Sequence, residues 1–429
     1  MSRLRRTVLA TSAAALFTLL SAPAFAAMTA EERALMERVD RLATELDAVK
    51  AELAKLKTEQ GAQAAEVALV KAAAPAPAPE SDTRLTSYGE INLTVPSEHS
   101  ADTQIDLRRF IIGFAHRFNE KTRLVTELEV EHAVTSSTDS GEVAVEQAYV
   151  ERALSEKLAL RGGLMLMPLG LLNENHEPTS FYGVERNVVE TAIIPSTLRE
   201  VGAQAVYNFG NGTTLQTGVV TGPSIANWDF SDASKGRKSP LASIHQEGQL
   251  ARARDPNFFA ALNWRGIPGL QVGASAIGGN IGHGQEGFPE SRMLLWDAHV
   301  RWAPGRWQLS ALYAQGTLTN TRQLNAPNVG MATLIPKRFD GALVEAGYKL
   351  WRKDDLRLEP FARVERVNTA RGFADLGPGL TPERSPTETI TTTGASLFFG
   401  DGLVLKGDYQ WFDVADAADR FNLGLGWSF

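Results

Sequence analysis

The chain has 429 residues, with 43 Lys+Arg against 50 Asp+Glu and no cysteine. Without cysteine there can be no disulfide, no thiolate catalysis and no Cys-type zinc site. A net charge of −7 with no basic cluster argues against a nucleic-acid partner.

The first element is an export signal. Arg3, Arg5 and Arg6 precede an apolar stretch from Val8 to Leu20, which closes at Ala24-Phe25-Ala26. A short apolar run ended by small residues is the pattern of a cleaved signal peptide, so residues 1–26 are expected to be removed. Beyond them no run of 18 uncharged apolar residues occurs, and no transmembrane helix is expected.

Residues 27–71 form the second element. Leu35, Val39, Leu42, Leu46, Val49, Leu53 and Leu56 recur in alternating steps of four and three, between strong helix formers. Such a repeat keeps one narrow stripe facing a partner helix and predicts a coiled coil. Residues 72–82 are rich in alternating Ala and Pro, which cannot hold a helix and predict an extended spacer.

From residue 83 to 429 the period changes to two. Phe421, Leu423, Leu425, Trp427 and Phe429 alternate with Asn422, Gly424, Gly426 and Ser428, so one face is apolar and the other small or polar. Sixteen such strands are read between 83–94 and 419–429, most of ten residues or more, a length suited to tilted membrane strands. Tight turns such as Gly210-Asn211-Gly212, Pro304-Gly305 and Gly400-Asp401 alternate with long loops at about 168–197, 223–255, 319–336 and 369–385. Short turns on one rim and long loops on the other predict an all-β, antiparallel, 16-stranded transmembrane barrel with the coiled coil on its periplasmic side. Phe118, Phe209, Trp264, Trp302, Trp307, Trp351, Phe398, Phe399, Trp427 and Phe429 cluster beside the tight turns, as an interfacial aromatic girdle would.

The alternation also sorts the charges. It turns Asp297, His299 and Arg301 inward, together with Glu127, Glu129, Glu131, Glu345, Lys349, Arg357, Glu359, Arg363, Glu365, Lys406 and Asp408, and Arg109, Arg117, Arg123 and Arg161 join them. Charge at this density on one face of a membrane strand calls for a hydrated lumen. Sixteen strands enclose more space than wall side chains fill. The long third loop, 168–197, is the candidate to narrow it, with Glu174, His176, Glu177, Glu185, Arg186 and Glu190 as the constriction and Ile193 and Ile194 as apolar anchors. Asp297, His299, Arg301, Arg363 and Lys406 are the expected pore wall. His176-Glu177 beside Glu174 is not read as a metal site, because no second His lies at ligand spacing. No nucleophile elbow or phosphate-cradling Gly loop stands out, so neither enzyme chemistry nor a cofactor is expected.

Several stretches resemble the phosphate-selective porin O/P family. They are Leu107-Arg108-Arg109, Glu146-Gln147-Ala148-Tyr149-Val150, Pro168-Leu169-Gly170-Leu171, the run from Asn173 to Pro178, Phe181-Tyr182-Gly183-Val184-Glu185-Arg186 and Ile193-Ile194-Pro195-Ser196-Thr197. The resemblance implies a sixteen-stranded trimeric porin narrowed by its third loop, with Phe429 as the terminal aromatic that outer-membrane assembly machinery reads. It does not carry phosphate selectivity, because the third loop holds one basic residue, Arg186, against Glu174, Glu177, Glu185 and Glu190, with Glu200 just beyond. The expected function is passive diffusion of small hydrophilic solutes or ions across the outer membrane of a Gram-negative bacterium, with lipid, solutes and two further copies of the chain as partners. Neutralising the loop acids is expected to shift ion preference toward anions. The alternative is a structural envelope protein that tethers the outer membrane to the cell wall through the coil.

Overall fold

The computed structural model describes residues 30–73, 82–232, 236 and 238–429. The expected signal peptide and most of the expected Ala/Pro spacer lie outside the described residues. The chain divides into a unit up to Glu80 and a unit from Ser81 to Phe429.

In the first unit a single 44-residue helix, α1, spans Ala30–Ala73. It covers the heptad region, as the helix-forming composition requires. The stripe residues Leu35 to Leu56 all stand exposed, each more than half accessible. The pairing of that stripe with another helix is therefore not shown by the single chain.

The second unit is a closed antiparallel sheet. Its strands are β1 (Thr83–Pro96), β2 (Gln104–Asn119), β3 (Thr122–Glu131), β4 (Val143–Ala153), β5 (Leu158–Leu166), β6 (Arg199–Asn208), β7 (Thr213–Val220), β8 (Asn257–Trp264), β9 (Leu270–Asn280), β10 (Arg292–Trp302), β11 (Trp307–Leu318), β12 (Arg338–Tyr348), β13 (Trp351–Lys353), β14 (Leu356–Gly372), β15 (Glu388–Phe399), β16 (Leu403–Phe412) and β17 (Arg420–Ser428). Neighbours in sequence are neighbours in the sheet, and β17 returns to β1 from Tyr88↔Ser428 to Pro96↔Arg420. Both β12 and β13 pair with β14, so they act as one stave interrupted at Lys349-Leu350. The barrel therefore has sixteen staves, as the alternation predicts. Closure leaves no unpaired edge.

Period two sets the two faces. Ile112 and Phe114 of β2 are exposed, as are Leu128, Val150, Leu294, Val344, Val364, Leu423 and Leu425 around the circumference. Their neighbours Ile111, Glu129, Leu295, Leu343, Arg363, Glu365 and Asn422 are buried inside. The rim aromatics Phe118, Phe209, Trp264, Trp302, Trp307, Trp351, Phe399 and Phe429 are exposed. Phe398 departs from the expected girdle. Adjacent residues of a strand point to opposite faces, so with Phe399 outside, Phe398 is buried inside, 4.2 Å beneath the Arg357 guanidinium.

The interior holds more chain than the sequence suggests. The long loop between β5 and β6 folds inward. Residues from two other long connections, Ile225, Trp228, Leu241 and Ile244 from one and Leu324 and Ile335 from another, join the same buried apolar cluster as Met167, Val189, Ile193 and Ile194. These connections pack as a cap on the base of the inward loop.

Candidate functional site

The inward loop is tied to the wall at many points. At its base Asn173 closes the neck: its Nδ2 donates to the carbonyls of Met167 (2.7 Å) and Leu198 (2.9 Å), and its Oδ1 accepts from Leu198 N (2.8 Å). Glu190 braces the interior. Its carboxylate accepts from the amides of Leu171 (2.6 Å) and Leu172 (2.8 Å) and from Asn187 Nδ2 (2.7 Å). Burial pushes the Glu190 carboxyl above the usual range, although these donors work against the shift. Gly170, at φ +66, lets the backbone pass this carboxylate, since a Cβ there would lie 2.3 Å from Glu190 Oε1. Ile193 and Ile194 are buried as anchors.

Further along, the loop meets the opposite wall. Val184 N donates to Asp408 of β16, and Val188 N donates to Glu365 of β14. Tyr182 hydrogen-bonds Glu359 and stacks on Phe361, with ring centroids 5.4 Å apart. Gly347 on β12 leaves the space the Tyr182 ring occupies. Arg363 is the hub. Its guanidinium reaches Glu345 Oε2 (3.2 Å), Glu365 Oε2 (2.8 Å) and the carbonyl of Tyr182 (3.2 Å), while 2% of the residue is exposed.

These contacts revise the expected roles. His176 and Glu190 are buried and hold the loop rather than fronting a passage. Of the expected wall set, Asp297, His299, Arg363 and Lys406 point inward but are buried, because the loop and neighbouring side chains cover them. Asp297 accepts from Gly170 N (3.1 Å) and contacts His299 Nδ1 at 2.6 Å, and Lys406 lies 3.6 Å from the Phe181 ring centre. Glu174, Glu177, Glu185, Arg186 and Arg301 keep accessible surface. The loop acids are not bare charges, however. Glu174 lies 3.9 Å from Arg161 and accepts from Gln216 (3.0 Å), Glu185 lies 3.6 Å from Arg108, and Glu177 accepts from Ser180. Arg301 and Lys349 make no side-chain hydrogen bond or ion pair among the described residues.

Those two cations border a cavity of about 260 Å³. The loop residues Leu171, Phe181 and Tyr182 roof it, and Arg301, Gln308, Lys349, Arg357 and Phe398 line it from the wall. These wall positions all stand beside tight turns, so the cavity lies toward the short-turn rim. Glu190, Glu345 and Glu359 also reach it, but each is engaged with amides or with arginine.

A second cluster pins the loop to β1–β4. His176 Nε2 lies 2.6 Å from Tyr88 Oη and 3.3 Å from Glu146 Oε2, and Tyr88 Oη donates to the same Glu146 oxygen at 2.9 Å. Arg109 donates to the His176 carbonyl (2.9 Å) and pairs with Glu90 (2.8 Å). Burial alone would strip the His176 ring of its second proton, but the Glu146 carboxylate outweighs burial and raises its pKa. The sequence points to Glu127 and Arg109 as inward residues but gives no role to Tyr88, Glu90 or Glu146. Glu146 escapes strict alternation because the β3–β4 register shifts there: Glu127 faces Gln147, and Leu128 faces Val145. A bulge of this kind re-aims one side chain, and here it turns Glu146 to the loop. Hydrophobic patterning carries no signal for that step. His176 therefore has two acid neighbours, Glu127 and Glu146, whose ligand atoms and its own all lie within 4.8 Å of one another, and both are supplied by the wall rather than by its own segment.

No protein-family model matches the chain. An uncharacterized protein of Aquifex aeolicus (strain VF5) is 28% identical over 353 residues, covering 80% of this chain and 79% of the relative. Among solved structures, OmpF of Salmonella typhi in complex with daunomycin aligns over 81% of this chain and 97% of its own, at 13% identity and a TM-score of 0.54. The outer membrane channel DcaP of Acinetobacter baumannii covers the same shares at 13% identity and a TM-score of 0.50. These likenesses support the general porin fold and not the narrower phosphate-selective family.

Proposed function

We propose that this chain is an outer-membrane porin that lets small hydrophilic solutes or ions diffuse passively through a lumen narrowed by residues 167–198. The observation that carries this reading is the pairing of two features in one closed barrel: an apolar outer face and an interior of charge into which the third loop is tied. An apolar belt over sixteen staves suits lipid, and a charged interior needs water. No reaction and no cofactor are part of this reading. The narrow region combines the accessible loop residues Glu174, Glu177, Glu185 and Arg186 with Arg301 on the wall. Glu174 and Glu185 face Arg161 and Arg108, whereas Arg301 and Lys349 border the cavity without a direct ion pair and set an ion preference that leans toward anions. A salt-gradient reversal potential across a planar bilayer tests this: a sign reporting anion preference supports it, and cation preference contradicts it.

The exposed stripe of α1 favours a second role beside the first. Seven apolar side chains at heptad spacing, all open to solvent in the single chain, suit self-association. We infer that α1 lies in the periplasm, joins copies of the chain into a homotrimer and offers a contact to the cell wall. Deleting residues 28–70 should leave conductance intact while lowering the oligomeric state or envelope attachment.

A further inference from the structure

We propose that Glu127, Glu146 and His176 form a binding site for one divalent transition-metal ion of the zinc class, which staples the inward loop to the barrel wall. One ligand atom from each of the three lies within 4.8 Å of the others. Without an ion, a second proton on the His176 ring is what balances the Glu146 carboxylate, and a metal ion would take that proton's place.

His176 Nδ1 lies 3.1 Å from the Asn173 carbonyl oxygen, which can only accept. Nδ1 therefore carries the ring proton, and in the neutral ring Nε2 presents a lone pair to Glu146 and Tyr88. A backbone carbonyl fixing the tautomer in this way is the usual support of a metal-bound histidine. The single hydroxyl proton of Tyr88 faces two acceptors, Glu146 Oε2 and His176 Nε2. Glu146 is fully buried, and its second oxygen, Oε1, meets no nitrogen or hydroxyl donor among the described residues, while the neighbouring Glu129 carboxyl stands close enough to share a proton with Glu146. Glu127 takes one hydrogen bond from Gln147 (2.8 Å) on Oε2. Arg109, which acts on Glu146 at longer range, is paired with Glu90 and donates to the His176 carbonyl. Two carboxylates and an imidazole nitrogen thus converge with too few donors, and a dication would satisfy them.

The donor set names the class. Imidazole with carboxylates suits zinc and similar ions, whereas calcium and magnesium take oxygen ligands in greater number. Around zinc, with bonds of about 2.0–2.1 Å, ligand atoms stand roughly 3.3 Å apart. The three side chains reach that spacing by small rotations, with Tyr88 Oη or water in the fourth place. Glu127 is only half-buried, which gives an ion a way in from the lumen. His176 belongs to the loop, Glu127 to β3 and Glu146 to β4, so the ion would join three separate segments. The proposal concerns binding and holds whether or not the barrel conducts.

The test uses the folded full-length protein, stripped with a chelator and exposed to Zn²⁺, with bound metal counted by mass spectrometry after gel filtration. One zinc per chain is expected. His176 and Glu146 also hold the loop, so the decisive variant is Glu127→Gln, which keeps the Gln147 partner and the barrel. It should lower zinc affinity at least tenfold. Loading with Co²⁺ should give a visible absorption band that Glu127→Gln abolishes. Failure of the folded wild type to retain zinc overturns the proposal and leaves a proton-shared network. Equal retention by Glu127→Gln overturns it as well.

Discussion

Arg363→Met is the most informative single change in the barrel interior. It keeps an apolar stem and removes a guanidinium that is 2% exposed and holds Glu345, Glu365 and the Tyr182 carbonyl together. Removing one partner of a buried ion pair leaves uncompensated charge and costs about 3–5 kcal/mol. Two acids lose their partner here, and Glu365 is also the acceptor for Val188 N, so the cost falls on loop docking as well as on the wall. At about 1.4 kcal/mol per tenfold, the total is two to three and a half powers of ten, divided between the stability of the wall and the closed-to-open equilibrium of the loop. The assays are the thermal midpoint read by heat-modifiable gel mobility and the rate of proteolytic nicking between residues 174 and 190. The triple variant Arg363→Met, Glu345→Gln, Glu365→Gln removes charge on both sides and should recover most of the stability. A single variant costing under about 1 kcal/mol, or a triple variant no better than the single, would refute the ion-pair hub.

Asn173→Ala removes three buried hydrogen bonds at the loop neck, each worth about 1 kcal/mol, and should speed nicking of the loop while leaving barrel mobility on gels unchanged. Gly347→Ala places a methyl group where the Tyr182 ring sits. It should break the Tyr182–Phe361 stack, and fluctuating channel current is the expected readout. The double variant Arg301→Glu, Lys349→Glu should move the reversal potential toward cations. Neutralising Glu174 and Glu185 should move it less, because each is already compensated. The Glu190 carboxyl sits above its ordinary pKa in the docked loop, so the docked state binds its proton more tightly than the free loop does. Its contribution to docking is full below the ordinary carboxylate pKa and is lost as pH rises through the raised value. Nicking should therefore quicken with rising pH, and Glu190→Gln should flatten that dependence.

The barrel was legible in the sequence because period two is a property of every strand. Leu294, Trp296, Ala298 and Val300 alternate with Leu295, Asp297, His299 and Arg301, and no neighbour in space is needed to see it. The sixteen staves, the rim aromatics other than Phe398 and the inward charges all follow from that alternation. The site was legible only in part. The loop could be picked out by its length and its mixture of acids with Ile193 and Ile194. Which charges stay bare could not, because compensation is a tertiary fact: Arg161 and Arg108, which offset Glu174 and Glu185, stand on strands and not on the loop, as does Gln216, which hydrogen-bonds Glu174. Glu146 was hidden for a different reason, since one bulge residue breaks the very period used to read the wall. The cap from the connections around Ile225, Trp228, Leu241, Leu324 and Ile335 was likewise invisible, as irregular chain carries no period at all.

The central claim is that this barrel conducts. Single-channel recording of the purified, heat-modifiable protein in a planar lipid bilayer tests it most directly. Stable, discrete current steps are predicted, with a reversal potential in a salt gradient that reports anion preference and shifts toward cations in the Arg301→Glu, Lys349→Glu variant. No current from correctly folded protein would contradict the porin reading and leave the exposed stripe of α1 as the feature to explain.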